Sequence, residues 1–226
     1  MNNDLLYQIA LTLLPNIGDI HAKALINIYG NAVNIFKAKK KELENIDGIG
    51  TIRANSIKYF SDFERIENEI KFIEKYKIAP LFITDENYPK RLLNCYDSPP
   101  ILFYKGNADL NTSKVVSIVG TRKNTEYGKN FTESLIEGLQ EQNVLVISGL
   151  AFGIDTIAHK AALKNNLQTI GCLAHGLNQI YPKVHKKYVA DIEKNGGKFV
   201  EFGGFYTVYP SRVACTQHIF ADFLIH

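Results

Sequence analysis

Cysteine is scarce in this sequence. Cys95, Cys172 and Cys215 stand far apart and are odd in number, which argues against a disulfide framework and for a reducing compartment. No Cys-x-x-Cys pair or comparable ligand spacing occurs, so neither a metal nor a cofactor is expected. No apolar run approaches the roughly 18 residues of a membrane span. The opening Met1-Asn2-Asn3-Asp4 has no basic segment leading into an apolar one; it does not read as a signal peptide, and the expected location is the cytoplasm. Internal repeats and low-complexity tracts are also lacking. Charge of one sign does not dominate: the formal net charge is +3. That permits a polyanionic partner without requiring one, so a basic site must come from local clustering.

What is present is an ordinary globular composition, 46% hydrophobic over 226 residues. This suffices for one large domain or two modest ones. Residues 1–78 read as helical. Leu5, Leu6, Ile9, Leu13 and Leu14 recur at helical spacing, Pro15-Asn16-Ile17-Gly18 breaks the pattern, and Gly30 and Ile46-Asp47-Gly48-Ile49-Gly50 break it again. Asp62 to Tyr76 is an amphipathic run. From Ile78 the texture changes. Strands are expected at 81–84 and 101–104, followed by strands at 115–119, 144–148, 168–173 and 198–202 alternating with helices near 126–141, 153–165 and 184–194. That alternation predicts βαβ crossovers and an α/β fold, a Rossmann-like, mostly parallel sheet with helices on both faces, over 79–226.

The polar and glycine residues gather where these strands end and helices begin, the usual ligand crevice of an open α/β sheet. After the first β-branched run comes Gly120-Thr121-Arg122-Lys123. After the second comes Ser148-Gly149-Leu150-Ala151-Phe152-Gly153-Ile154-Asp155, with His159 one turn on. Helix N-termini there favour an anion, and Arg binds phosphate bidentately. A dinucleotide fingerprint would need a second glycine where Arg122 stands, and no P-loop occurs. We therefore expect a phosphate-backbone site made of Gly120, Thr121, Arg122, Lys123, Ser148, Gly149, Gly153, Ile154, Asp155 and His159. Asp155 is expected to suit the helix dipole and to hold Arg122. The third strand end supplies His175, Tyr181 and the basic cluster Lys183, His185, Lys186 and Lys187, of which Lys183 is counted with the site. Tyr181 is either a base-stacking face or a core aromatic.

Each motif has a plainer alternative. Arg122 could cap a neighbouring strand, and the basic cluster could be a solvated face. Ser148, Asp155 and His159 together could suggest a hydrolase, yet no Gly-x-Ser-x-Gly elbow surrounds Ser148. In the helical region, Gly48-Ile49-Gly50 followed by Arg53 is a helix-hairpin-helix pattern, and Gly48, Gly50 and Arg53 are a possible second DNA contact. Leu14 to Gly18 looks like a weaker copy. Either break could instead be a simple glycine-capped connection.

These motifs, in this order, resemble the DprA/Smf DNA-processing proteins. So do Tyr88-Pro89 to Leu92, Pro99-Pro100-Ile101-Leu102-Phe103-Tyr104-Lys105-Gly106 and Gly176-Leu177-Asn178-Gln179-Ile180-Tyr181-Pro182. The resemblance spans about residues 5–202. It implies a sterile-alpha-motif or helix-hairpin-helix domain before a Rossmann-like one, and a homodimer without enzymatic activity. It further implies that the protein binds single-stranded DNA, protects it during uptake and transformation, and loads RecA. Asn178 stands where that family has Asp. After Glu201 only Tyr209, Pro210 and Arg212 match, so a truncated or altered end is expected, and with it an exposed sheet edge. The competing expectation is a nucleotide-phosphate-binding enzyme, hydrolase-like, on a related fold; a third is a remnant that folds but binds nothing.

Overall fold

A computed structural model describes residues 3–173, 186–194 and 198–201. The chain divides into two compact units, Met1–Tyr88 with Leu93–Leu102, and Pro89–Leu92 with Phe103–His226.

The first unit opens with α1 (Asn3–Leu13), α2 (Asp19–Tyr29), α3 (Ala32–Lys37), α4 (Lys40–Glu44), α5 (Gly50–Lys58) and α6 (Phe63–Lys75). The apolar periodicity places Ile9, Ile35, Leu43, Ile57 and Ile66 in its core. Four rings, Tyr7, Phe36, Phe60 and Phe63, form a closed circuit with centroids 5.1–6.2 Å apart. Edge-to-face pairs of this kind add to the area they bury. Lys58 holds the end of α3 by donating to the Phe36 and Ala38 carbonyls. Lys23 likewise donates to the carbonyls of Leu93 and Cys95 and to the Ser98 hydroxyl, pinning the 93–98 loop. The strand expected at 81–84 is β1 (Ala79–Phe82). It stops early because the Asp85 carboxylate takes the Phe82 N–H at 2.7 Å while the Asp85 N–H bonds the Phe82 carbonyl. A carboxylate that returns to the backbone in this way competes with continuing the ladder. β1 lies next to β2 (Ile101–Lys105), whose first two residues belong to this unit.

The second unit contains α7 (Lys90–Leu93, through Leu92) and then β3 (Val115–Ile118), α8 (Glu126–Gly138), β4 (Leu145–Gly149), α9 (Ile154–Lys164), β5 (Thr169–Leu173), α10 (Lys186–Lys194) and β6 (Lys198–Glu201). Its strand order is β2-β6-β5-β4-β3. β3, β4, β5 and β6 are mutually parallel, and β2 runs antiparallel to β6. The β-branched runs form strands because β4 and β5 are covered on both sides: Leu145, Val146, Ile147 and Ser148 are all buried, as is every residue of β5. α8 begins where the Thr125 hydroxyl accepts the Gly128 N–H at 3.1 Å, an N-cap that satisfies one orphan donor. α8 and α9 pack on one face of the sheet through Ile118, Ile136, Val146, Ile154, Ala158 and Ala162. The small residues Ala158, Ala161 and Ala162 let the two helices come close. A second cluster joins Leu150, Leu173, Val189 and Ile192. Cys172 is a buried free thiol; Cys215 lies outside the described residues.

Ile136 is fully buried at the centre of this face. Replacing it with alanine removes three carbons and leaves a cavity, which costs about 2–4 kcal/mol. Urea unfolding of Ile136→Ala should show a lowered midpoint with an unchanged slope.

Candidate nucleic-acid interface

The parallel register sets Ile118 beside Ser148, so β3 and β4 end at the same level. Their outgoing loops, 119–125 and 150–153, must therefore lie against each other. The contact is tight. Gly153 takes φ 85°, and a Cβ there would fall inside van der Waals contact of the Thr121 carbonyl oxygen and 2.7 Å from that of Arg122. A Cβ on Gly120 would lie 2.6 Å from Ile154 Cγ1. The Ile154 N–H donates to the Thr121 carbonyl at 3.2 Å. The Thr121 hydroxyl accepts the Lys123 N–H at 3.2 Å, closing a small turn that presents Arg122. The glycines at 120 and 153 thus serve close approach of one loop to the other, a reason their positions in the sequence disclosed only in part.

Beneath the loops is a polar core. Ser148 is fully buried, and its hydroxyl donates to the Ile118 carbonyl at 2.7 Å. His159 is fully buried, with Nε2 2.7 Å from the Gly149 carbonyl and Nδ1 2.6 Å from the Thr169 hydroxyl. A carbonyl only accepts, so Nε2 carries the proton and Nδ1 faces the hydroxyl. His159 thereby ties α9 to the end of β4 and the start of β5. Asp155 is 8% exposed, and its Oδ2 accepts the Ala151 N–H at 3.3 Å. Burial raises its carboxyl above the ordinary carboxylate value. The Ala151 N–H, the Ser148 hydroxyl, the charge of Arg122 and the Gly120 N–H each pull it part of the way back. Ser148 helps only as a dipole, since its one proton goes to Ile118.

The predicted residues thus sort by role. Gly120, Thr121, Arg122 and Lys123 are exposed at the rim. Ser148, Asp155 and His159 lie below it and hold the loops. Gly149 contributes its carbonyl to His159, and Gly153 and Ile154 fasten the rim from behind. The Ala151 and Ile154 N–H groups are already bonded within the fold. Arg122 and Lys123 place two exposed cationic side chains at this rim. His175, Asn178, Tyr181, Lys183 and His185, and the 202–226 end, lie outside the described residues. Two exposed aromatics that the sequence reading did not single out, Tyr127 and Phe131, follow the rim on α8. Their signal was an i, i+4 apolar pair on an otherwise polar helix face.

In the first unit, Asn16 and Gly48 take φ 65° and 76°. Each is followed by a buried isoleucine, Ile17 or Ile49, and then by a helix. The weaker copy in the sequence is therefore a local structural copy, with Asn at the left-handed position that Gly fills in the other. Arg53 links the two: its Nε donates to the Asn16 carbonyl at 2.8 Å and its Nη1 to the Gly48 carbonyl at 2.9 Å. Two of its donors face inward rather than toward a ligand. Gly50, at φ 58°, opens α5 and is exposed. Among the described residues, no group of three His, Cys, Asp or Glu could hold a metal, and no helix is long and apolar enough to cross a membrane.

Comparison with known proteins adds two family matches. Residues 79–212 match the DNA recombination-mediator protein A model, and residues 9–70 match the helix-hairpin-helix motif. The chain is 39% identical to the DNA processing protein DprA of Streptococcus pneumoniae over 140 residues, 56% of this chain and 49% of that protein. It is 30% identical to the protein Smf of Synechocystis over 202 residues, 86% of this chain and 50% of that protein. The chain thus spans about half the length of these relatives. Among solved structures, the X-ray structure of S. pneumoniae DprA superposes with a TM-score of 0.74 at 27% identity, covering 99% of this chain and 75% of that one. DNA processing protein A of Helicobacter pylori, for which a single-stranded DNA binding mode is described, gives a TM-score of 0.56 at 28% identity, covering 65% and 66%.

Two outcomes follow from this geometry. Gly153→Ala combines a left-handed backbone with an overlap on two carbonyls and should destabilise the α/β unit by about 2–4 kcal/mol, read from chemical unfolding. The raised Asp155 carboxyl means that the folded chain binds its proton more tightly than the unfolded chain. Its contribution to stability therefore falls as pH rises from about 4, the unfolded value, through the raised folded value. Melting temperatures measured across that window should decline less steeply with pH in Asp155→Asn than in the wild type.

Proposed function

This chain belongs to the DNA recombination-mediator protein A family, and from that premise we infer that its α/β unit binds single-stranded DNA without regard to sequence, through the phosphate backbone at the Arg122–Lys123 rim. One observation carries the reading. Two exposed cations project from a loop whose backbone is locked by Gly153 and by the Thr121 turn. A guanidinium on a braced mount meets a phosphate bidentately and with little ordering cost. The expected pocket comprises Arg122 and Lys123 as direct contacts, with Gly120 and Thr121 allowing close approach. Ser148, Gly149, Gly153, Ile154, Asp155 and His159 act as the frame that holds them. Lys183 is proposed as a further contact.

On family membership alone, the reading extends to protection of incoming DNA, to loading of RecA and to a homodimeric working form. The Gly48–Gly50 turn with Arg53 remains a proposed second contact through its backbone N–H groups, with Arg53 as its brace. The hydrolase alternative has less support. A nucleophile needs a base within hydrogen-bond reach, and the Ser148 proton goes to Ile118 while both His159 nitrogens face Thr169 and Gly149.

Arg122→Ala should weaken binding of a fluorescent oligo-dT by about 1.5–3 kcal/mol. It should also reduce the dependence of log Kd on log salt by about one unit of slope. Equal affinity and slope in the variant and the wild type would sink the assignment.

A further inference from the structure

α8 leaves an apolar stripe uncovered. Thr132 and Ile136 are its buried positions, whereas Tyr127, Phe131 and Leu135 recur at i, i+4 and i+8 and are 79%, 57% and 42% exposed. The Tyr127 and Phe131 rings are stacked, 6.3 Å between centroids and 24° from parallel. Val119, at the end of β3, is 63% exposed on the loop that leads to them. Nothing in the packing of α8 calls for this pair, since the helix already docks through Ile136. The stripe begins where the charge is. Only four residues separate Arg122 from Tyr127, and side chains on a helix lean toward its N-terminus, here toward the Arg122–Lys123 rim.

Cations beside exposed aromatic faces match a single nucleic-acid strand: phosphates meet the charge, and unpaired bases meet the rings. A duplex has no free base faces to offer. We propose that Tyr127 and Phe131 form a base-stacking platform for the strand whose phosphates Arg122 and Lys123 hold. The proposal rests on the reading of that rim as a phosphate site, and it adds a second, uncharged source of affinity that selects single strands over duplex.

The chain contains no tryptophan, so Phe131→Trp introduces a sole reporter. It would be titrated with oligo-dT and with an abasic strand of equal length. The expected result is quenching by oligo-dT and none by the abasic strand, although both bind. Tyr127→Ser with Phe131→Ser should lower oligo-dT affinity roughly 5- to 100-fold while leaving the salt slope and abasic binding unchanged. Both positions are exposed, and an unaltered melting temperature verifies that the fold is intact. If neither strand binds the wild type, the phosphate reading and the platform fall together. If oligo-dT binds with its dependence on Arg122 intact, but the reporter is silent and the double variant binds normally, only the platform is overturned. It is also overturned if the double variant turns a dimer into a monomer in sedimentation with unchanged oligo-dT affinity, since the stripe would then be an interface between copies.

Discussion

The second unit depends on one close approach, that of the Thr121–Arg122 backbone against Gly153. Two parallel strands end level, and each must turn into its own helix within a few residues. Their loops have room only if one of them lacks a side chain at the crossing. Because Gly153 also carries a positive φ, it lets the chain enter α9 at an angle that an L side chain resists. Around this crossing the Ile154 N–H and the Thr121 hydroxyl close further bonds. The outcome is a closely braced mount for Arg122 and Lys123.

The polar groups below the crossing serve the same end. Buried Ser148, Asp155 and His159 would be costly if left without partners. Each instead bridges elements that must stay in register: Ser148 joins β4 to β3, His159 joins α9 to β4 and β5, and Asp155 joins the first turn of α9 to the loop before it. Asp155 also faces Cys172, whose thiol is pushed up to about 12 by burial and by that carboxylate. A thiol so placed stays protonated and packs as an apolar group. Residue types that suggest catalysis in a sequence are here a frame for the loops that carry Arg122 and Lys123.

The first unit repeats the strategy with different parts. Two turns, each with a left-handed residue and a buried isoleucine, are held together by one guanidinium on two carbonyls. Lys23 and Lys58 act similarly, each gathering backbone oxygens near a helix end or loop. Counting lysines and arginines therefore overstates the cationic surface of this unit, because several of its charges face inward.

The alternation of strands and helices, the α/β class and the two glycine-marked turns were legible in the sequence because they depend on local chemistry. Hydrophobic period, caps and the conformational freedom of glycine act within a few residues of one another. Strand ends were less legible: β1 stops at Phe82 because the side chain of Asp85, three residues on, takes its N–H. The roles of the site residues could not be read in advance. Ser148, Arg122 and His159 are all polar residues beside glycines, and only the register of β3 with β4 and β5 decides which point into the sheet and which into water. The same holds for Arg53, whose partners at Asn16 and Gly48 come from separate turns, and for the ring pair on α8, exposed because Ile136 and Thr132 took the inward face. Sequence determines which residues can bear charge or bend the chain; long-range packing determines which of them remain available, because burial and hydrogen-bond partners are set between segments that are distant in sequence.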